Sequence, residues 1–194
     1  MAKLIYGVGY NSKGVHKTGT GEKMSLAYST WFNMIRRCYS KNESIRKAHP
    51  TYIDCKVKDT WLDYQNFAEW YSNHDFSDLG YDLDKDVLIP NNKLYGPKTC
   101  CFIPRQLNSL LTDCAAARGQ YPQGVYLHKR DNKFMARLSI NGNRKYLGLF
   151  DTETEAYRAY KVAKEAYVKE KALEWQDRIA SDVFDALMRW SLDS

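Results

Sequence analysis

Two stretches concentrate side chains able to do chemistry. Residues 124–150 hold Lys129, Arg130, Lys133, Arg137, Arg144 and Lys145 against one acid, Asp131. A net +5 on so short a segment is either the footprint of a polyanion ligand or a solvated basic surface. In residues 81–88, Asp82, Asp84 and Asp86 alternate with Leu83, Lys85 and Val87, as an extended strand would have it. The following Ile89-Pro90-Asn91-Asn92-Lys93 is turn chemistry. These acids either serve a site or are exposed carboxylates beside a turn. Sulfur and imidazole point away from chemistry. Cys38, Cys55, Cys100, Cys101 and Cys114 include no Cys-x-x-Cys pair, and His16, His49, His74 and His128 are scattered, so a zinc finger is not expected. An odd cysteine count without a secretory signal argues against a disulfide framework and for reduced, partly buried thiols. The spacing Gly7-x-Gly9-x-x-x-x-Gly14 is not a phosphate-binding fingerprint.

The elements that must position these groups follow from periodicity. Residues 1–23, rich in Gly, Lys, Ser and Thr, read as a loop or flexible arm. Residues 25–39 carry Leu26, Ala27, Trp31, Met34, Ile35 and Cys38 at helical spacing, with Arg36 and Arg37 where cations suit the helix dipole. Residues 40–51 read as a loop and 52–57 as a short strand. Residues 61–71 predict a second helix whose aromatics are core. Strand, loop, strand and helix follow at 81–88, 89–93, 100–103 and 106–111, with Pro104 opening the last. Residues 115–123 read as a linker, placing a boundary near 120. Beyond it the period becomes two. Strands at 125–128, 133–140 and 144–150 are joined by a turn at 129–132 and by Asn141-Gly142, a hairpin signal. Thr152-x-x-Glu155 is a capping box, opening a helix whose small-residue face includes Ala156, Ala159 and Ala163. A last helix, about 173–192, carries Trp175, Ile179, Val183, Leu187 and Trp190 on one side and either packs back or mediates a homodimer. The fold class is α+β.

The chain has 194 residues and 44% hydrophobic side chains, enough for one ordinary domain or two small ones and too many for wholesale disorder. No run of about 18 apolar residues exists, and the first apolar stretch breaks at Gly7, too early for a signal-peptide core. A cytoplasmic location without membrane contact is expected.

Several runs resemble known families. Gly124-Val125-Tyr126, Phe134-Met135-Ala136-Arg137-Leu138, Tyr146-Leu147-Gly148-Leu149-Phe150-Asp151-Thr152 and Glu155-Ala156-Tyr157-Arg158-Ala159-Tyr160 look like the APETALA-type (ethylene-response) DNA-binding domain. That resemblance implies a three-stranded antiparallel sheet plus helix over residues 120–194, with the sheet entering the major groove of double-stranded DNA. It implies that Arg137, Arg144 and Lys145, with Lys129, Arg130 and Lys133 near the first turn, face DNA. Arg137, in mid-strand, is the expected base contact and the others phosphate contacts. Fewer sheet arginines and tryptophans than the family usually carries weaken the expectation of tight sequence specificity.

Upstream, Trp31-x-x-Met34-x-x-Arg37-Cys38-Tyr39, Pro50-x-Tyr52, Val57, Trp61, Phe67, Trp70, Leu83-Asp84-Lys85-Asp86, Tyr95-Gly96-Pro97-x-Thr99-Cys100-x-Phe102 and Asn108 resemble phage HNH-type homing endonucleases. The resemblance implies an HNH-like ββα-metal unit with flanking helices in residues 1–119. In it Asp84 and Asn108 would hold one divalent cation, Mg²⁺ or Mn²⁺, in a metal-dependent DNA endonuclease. Lys85 stands where the family's general-base His stands, and an ordinary lysine is a poor base at neutral pH. Either Asp86 or a metal-bound hydroxide substitutes, or the nuclease is dead. Lys85→His is expected to restore a base. The alternatives are a nuclease-dead DNA-binding repressor or replication modulator and, more remotely, a protein-binding module built on the aromatic N-terminal half.

Overall fold

The computed structural model describes residues 4–48, 50–112 and 120–193. His49, Cys114 and most of the expected linker lie outside them. The described chain is mixed α+β. It forms two compact units, Met1–Arg105 with Asp177–Val183, and Gln106–Gln176 with Phe184–Ser194. Among the described residues no helix is long and apolar enough to cross a membrane.

The first unit is organised around aromatic helices. A short hairpin, β1 (Gly19–Thr20) and β2 (Lys23–Met24), leads into α1 (Leu26–Tyr39). The Ser25 side chain caps α1 by accepting from the Tyr28 N–H at 3.1 Å. Trp31, Met34, Ile35 and Cys38 form its buried stripe. A short α2 (Glu43–Ala48), with no buried residue, interrupts the stretch expected to be loop. Of the strand expected at 52–57 only β3 (Lys56–Val57) exists, because Pro50–Tyr52 closes into a 3₁₀ turn. The helix expected at 61–71 begins later, as α3 (Tyr64–Ser72), because Asp63 accepts from the Gln65 N–H and caps it. Trp31, Trp61, Tyr64, Phe67 and Phe102 are almost fully buried in one core, and the Trp31 indole N–H donates to the Trp61 carbonyl at 2.7 Å. The expected aromatic core is thus present.

The Gly-rich N-terminal stretch is a fitted loop rather than a flexible arm. The Asp63 and Gln65 side chains accept from the Ser12 and His16 N–H groups at 3.1 and 3.0 Å, and the Gln65 amide donates to Asn11 and the His16 carbonyl. A Cβ on Gly14 would lie 2.2 Å from Gln65 Oε1, so a missing side chain, not flexibility, is what glycine provides there.

β4 (Asp82–Asp84) runs antiparallel to β6 (Cys101–Ile103), with Leu83 opposite Phe102 and Asp84 opposite Cys101. Between them β5 (Leu94–Tyr95) pairs parallel with β3. After Pro104 comes α4 (Arg105–Leu111). Its first residue closes the first unit and the rest belong to the second.

The second unit contains the expected three-stranded antiparallel sheet, β7 (Val125–His128), β8 (Lys133–Ile140) and β9 (Asn143–Phe150), in that order. Asn141 and Gly142 have φ of 50° and 81°, the left-handed pair that a tight hairpin requires. Thr152 and Glu155 complete the capping box of α5 (Glu153–Trp175). Ala156, Tyr160 and Tyr167 pack with Val125, Ala136 and Leu138. Gly124 is required twice over: its φ is +76°, and a Cβ there would come within 2.0 Å of the Tyr160 ring.

The single last helix expected at 173–192 is broken. α5 continues to Trp175, a 3₁₀ turn covers Gln176–Arg178, and α6 (Ser181–Arg189) follows. Ile179, Val183 and Leu187 are at most 4% exposed within the chain itself. Three of the five apolar residues of that side are therefore covered within the chain, while Trp175 and Trp190 stay partly exposed.

Candidate functional site

Asp84 is the last residue of β4 and the reason the strand stops. Its Oδ1 accepts from the Asp86 and Val87 N–H groups at 2.6 and 2.8 Å, an Asx turn that bends the chain away from β6. Its Oδ2 makes no hydrogen bond to any described residue. Burial raises the carboxyl above the ordinary aspartate value, although the two N–H bonds pull it down. Such an under-solvated carboxylate gains from a nearby cation.

Lys85 points inward and is 5% exposed. Its ammonium donates to both Asp86 carboxylate oxygens at 2.7 and 2.6 Å and to the Asn92 carbonyl at 2.7 Å. The Asn92 amide returns a bond to the Lys85 carbonyl at 2.9 Å. All three ammonium directions are used, so Lys85 acts as a clasp across residues 85–92. Asp86, the alternative base of the motif reading, is held through both oxygens by this clasp while its side chain stays half exposed. Asp84, Lys85 and Asp86 are thus brought together with Asn92, a residue the motif did not single out. Asn108, on α4, falls in the second unit and has interactions of its own.

Tyr52 and Tyr95 border the loop. The Lys85 ammonium lies 5.8 Å from the Tyr52 ring centroid. The buried Tyr95 hydroxyl is pushed well up by desolvation; Arg37 opposes that rise and Asp84 adds to it, so both charges reach one phenol. Cys38 and Cys100, in the same core, are pushed up to about 12 by burial. They remain thiols, neither nucleophiles nor ready ligands. The four described cysteines are free and buried, as expected.

No group of three His, Cys, Asp or Glu side chains among the described residues could hold a metal. The donor set here is one carboxylate oxygen. That set fits magnesium or manganese, which keep most of their waters and take one or two protein oxygens plus phosphate. It does not fit zinc.

The second constellation is the outer face of the sheet. Strand partners place Tyr126 opposite Met135 and His128 opposite Lys133. A bulge after Ala136 shifts the β9 register: Ala136 faces Gly148 but Arg137 faces Tyr146. Opposed residues share a face. Arg137 therefore shares its face with Tyr146 directly opposite and with Tyr126 on the diagonal, opposite Met135, and Arg144 follows opposite Ser139. The tyrosines are 51% and 56% exposed. Arg137 and Arg144 form no ion pair with any described residue. Lys133 is paired with Asp151 at 2.8 Å, and Arg130 with Asp131, which also approaches His128. Lys129 is exposed on the first turn.

Lys145 departs from expectation. It lies opposite Leu138, whose side chain is in the core beneath α5, so it is exposed on the helix side of the sheet. Plain alternation from Phe150 misses the extra residue of the bulge. The same bulge hid Tyr146, whereas the alternation of β7 already placed Tyr126 opposite in sense to Val125 and Leu127.

No protein-family model, no curated protein and no solved structure matches the chain. The residues and their geometry alone bear on function.

Proposed function

We propose that the chain binds double-stranded DNA through the outer face of β7–β9, as an APETALA-type module would, and that the Asp84 loop belongs to an HNH-like, Mg²⁺- or Mn²⁺-dependent DNA endonuclease. The observation that carries the binding half is the pair of unpaired arginines, Arg137 and Arg144, set among exposed tyrosines on one sheet face. Arginine presents a planar fork to a guanine edge or a phosphate, and a β-ribbon fits the major groove. Arg137 is the base-reading candidate. Arg144, Lys129, Arg130 and Lys133 serve the phosphates, the last two after exchanging their surface carboxylate partners, which costs little in water.

For the nuclease half, Asp84 would hold the cation through Oδ2, its Oδ1 being committed to the turn; Asn108, in the other unit, is not assigned to it. A bound divalent cation would lower the pKa of its water and stabilise the leaving oxygen. Lys85 and Asp86 are assigned a positioning role, fixing the loop that aims Asp84, and no side chain is assigned as general base. That last point favours the second reading, a nuclease-dead DNA-binding protein acting as a repressor or replication modulator. The test is incubation of the full chain with supercoiled and linear DNA in Mg²⁺, Mn²⁺ or EDTA. Metal-dependent nicking that disappears in Asp84→Asn, with DNA affinity retained, supports the enzyme. Tight binding with intact DNA under every condition leaves the second reading.

A further inference from the structure

The outer face of the β7–β9 sheet is not uniformly polar. Opposed residues share a face, so the strand partners divide it into rungs. His128 and Lys133 form the first. Tyr126, Met135 and Leu149 form the second, with Met135 the partner of both others. Arg137 and Tyr146 form the third, Ser139 and Arg144 the fourth. One apolar rung is thus set among basic ones. Its middle residue, Met135, is only 8% exposed, although it lies on the face away from Ala136 and Leu138, which pack with α5. Tyr126 is exposed and Leu149 half-buried, so the rung presents a ring and methyl groups with a thioether filling the space between them. The flanking Arg137 and Arg144 form no ion pair with any described residue. That charge suits a polyanion rather than an apolar protein surface. Duplex DNA has one apolar group that projects into the major groove, the thymine C5-methyl.

We propose that Tyr126, Met135 and Leu149 read the C5-methyl group of a thymine close to the base contacted by Arg137. The inference rests on the DNA-binding reading of this sheet and adds a specificity-determining rung to it. Met135 and Arg137 are two positions apart on β8, about 7 Å, and stacked base pairs are about 3.4 Å apart, so the thymine falls within about two base pairs of that contact. Arginine's fork selects guanine. The rung selects a pyrimidine by burying one methyl group, which a fork cannot do. Cytosine at the same place would turn its N4 amino group toward side chains that cannot accept from it.

The experiment selects preferred sites from a random duplex pool with the full chain in EDTA. Each thymine of the selected site is then replaced singly by deoxyuridine, which removes only the methyl group. One replacement should weaken binding about fourfold, the worth of one buried methyl-sized group at about 0.8 kcal/mol, and the others should change little. Tyr126→Ser/Leu149→Ser should lower affinity for the thymine duplex and bind the thymine and uracil duplexes about equally. Arg137→Ala should weaken both and keep the fourfold ratio, because it leaves the rung intact. Tight binding in which every uracil duplex matches its thymine parent overturns the proposal and leaves the DNA reading standing. A selected site with no thymine near its discriminated guanine does the same. A chain that selects nothing from the pool overturns both. The wild-type measurements decide even if the variants fail to fold.

Discussion

At the scale of single residues, the Asp84–Lys85 pair carries opposite energetic signs. Folding raises the Asp84 carboxyl above its ordinary value, so the native state holds that proton more tightly than the unfolded chain does. The resulting stability deficit is present above the folded pKa and is relieved as pH falls through it. Asp84→Asn keeps an Oδ1 acceptor for Asp86 and Val87 but removes the desolvated charge. It should therefore melt a few degrees higher than wild type at neutral pH, with the gap closing as the buffer is made acidic. Mg²⁺ should stabilise wild type and leave the variant unchanged. Calorimetry across pH, with and without the metal, checks both statements; a variant less stable at neutral pH would contradict them. Lys85→His behaves differently from the motif-based expectation. Imidazole cannot replace three ammonium bonds, so the change leaves the Asn92 carbonyl and Asp86 without their donor at a cost of about 1–3 kcal/mol. A loss of stability with no gain in cleavage is expected in urea melts and plasmid assays. Alternation along a strand before a turn marked Asp82, Asp84 and Asp86 alike, and only the HNH resemblance singled out Asp84. The use of Lys85 was not legible in the sequence, because its acceptors, Asn92 among them, meet it only once the loop has folded.

At the scale of elements, hairpins and caps were written locally and are where local chemistry put them. Asn141-Gly142 demands positive φ, and Thr152 with Glu155 closes a reciprocal cap; neither needs a distant partner. What sequence missed was tertiary. The N-terminal stretch looked flexible because glycines permit flexibility, yet Gln65, about fifty positions away, fixes it. The β9 bulge is equally silent in sequence, and it decides which side chains share the face of Arg137. Two substitutions test that register. Arg137→Ala should weaken binding to a preferred site by about 1–3 kcal/mol and flatten discrimination among sequences. Lys145→Ala, on the helix side, should change affinity much less than Arg144→Ala does. Quantitative binding to a panel of duplexes distinguishes these; equal losses at 144 and 145 would show that the face assignment is wrong.

At the scale of the whole molecule, the chain folds as two compact units, each with its own core: one built on α1, α3 and aromatic rings, the other on a sheet under α5. The strand, loop, strand and helix over 81–111 and the apolar stripe of α6 were readable from sequence, whereas the antiparallel pairing of β4 with β6 was not, because it joins residues about twenty positions apart. The break between α5 and α6 was not, since helical periodicity runs across it. The proposed division of labour assigns DNA affinity to the sheet of the second unit and phosphate chemistry to the first. The most direct test of that claim is the salt dependence of duplex-DNA binding by the full chain and by Arg137→Ala/Arg144→Ala, measured in EDTA. Neutralising roughly four to six phosphates gives a log–log slope near −0.9 per phosphate for wild type, and losing the Arg144 phosphate contact should flatten it by about one unit, while loss of the Arg137 base contact lowers the affinity on a preferred site. Binding that is absent at low salt, or a slope and affinity unchanged in the double variant, would contradict the assignment of the sheet face to DNA.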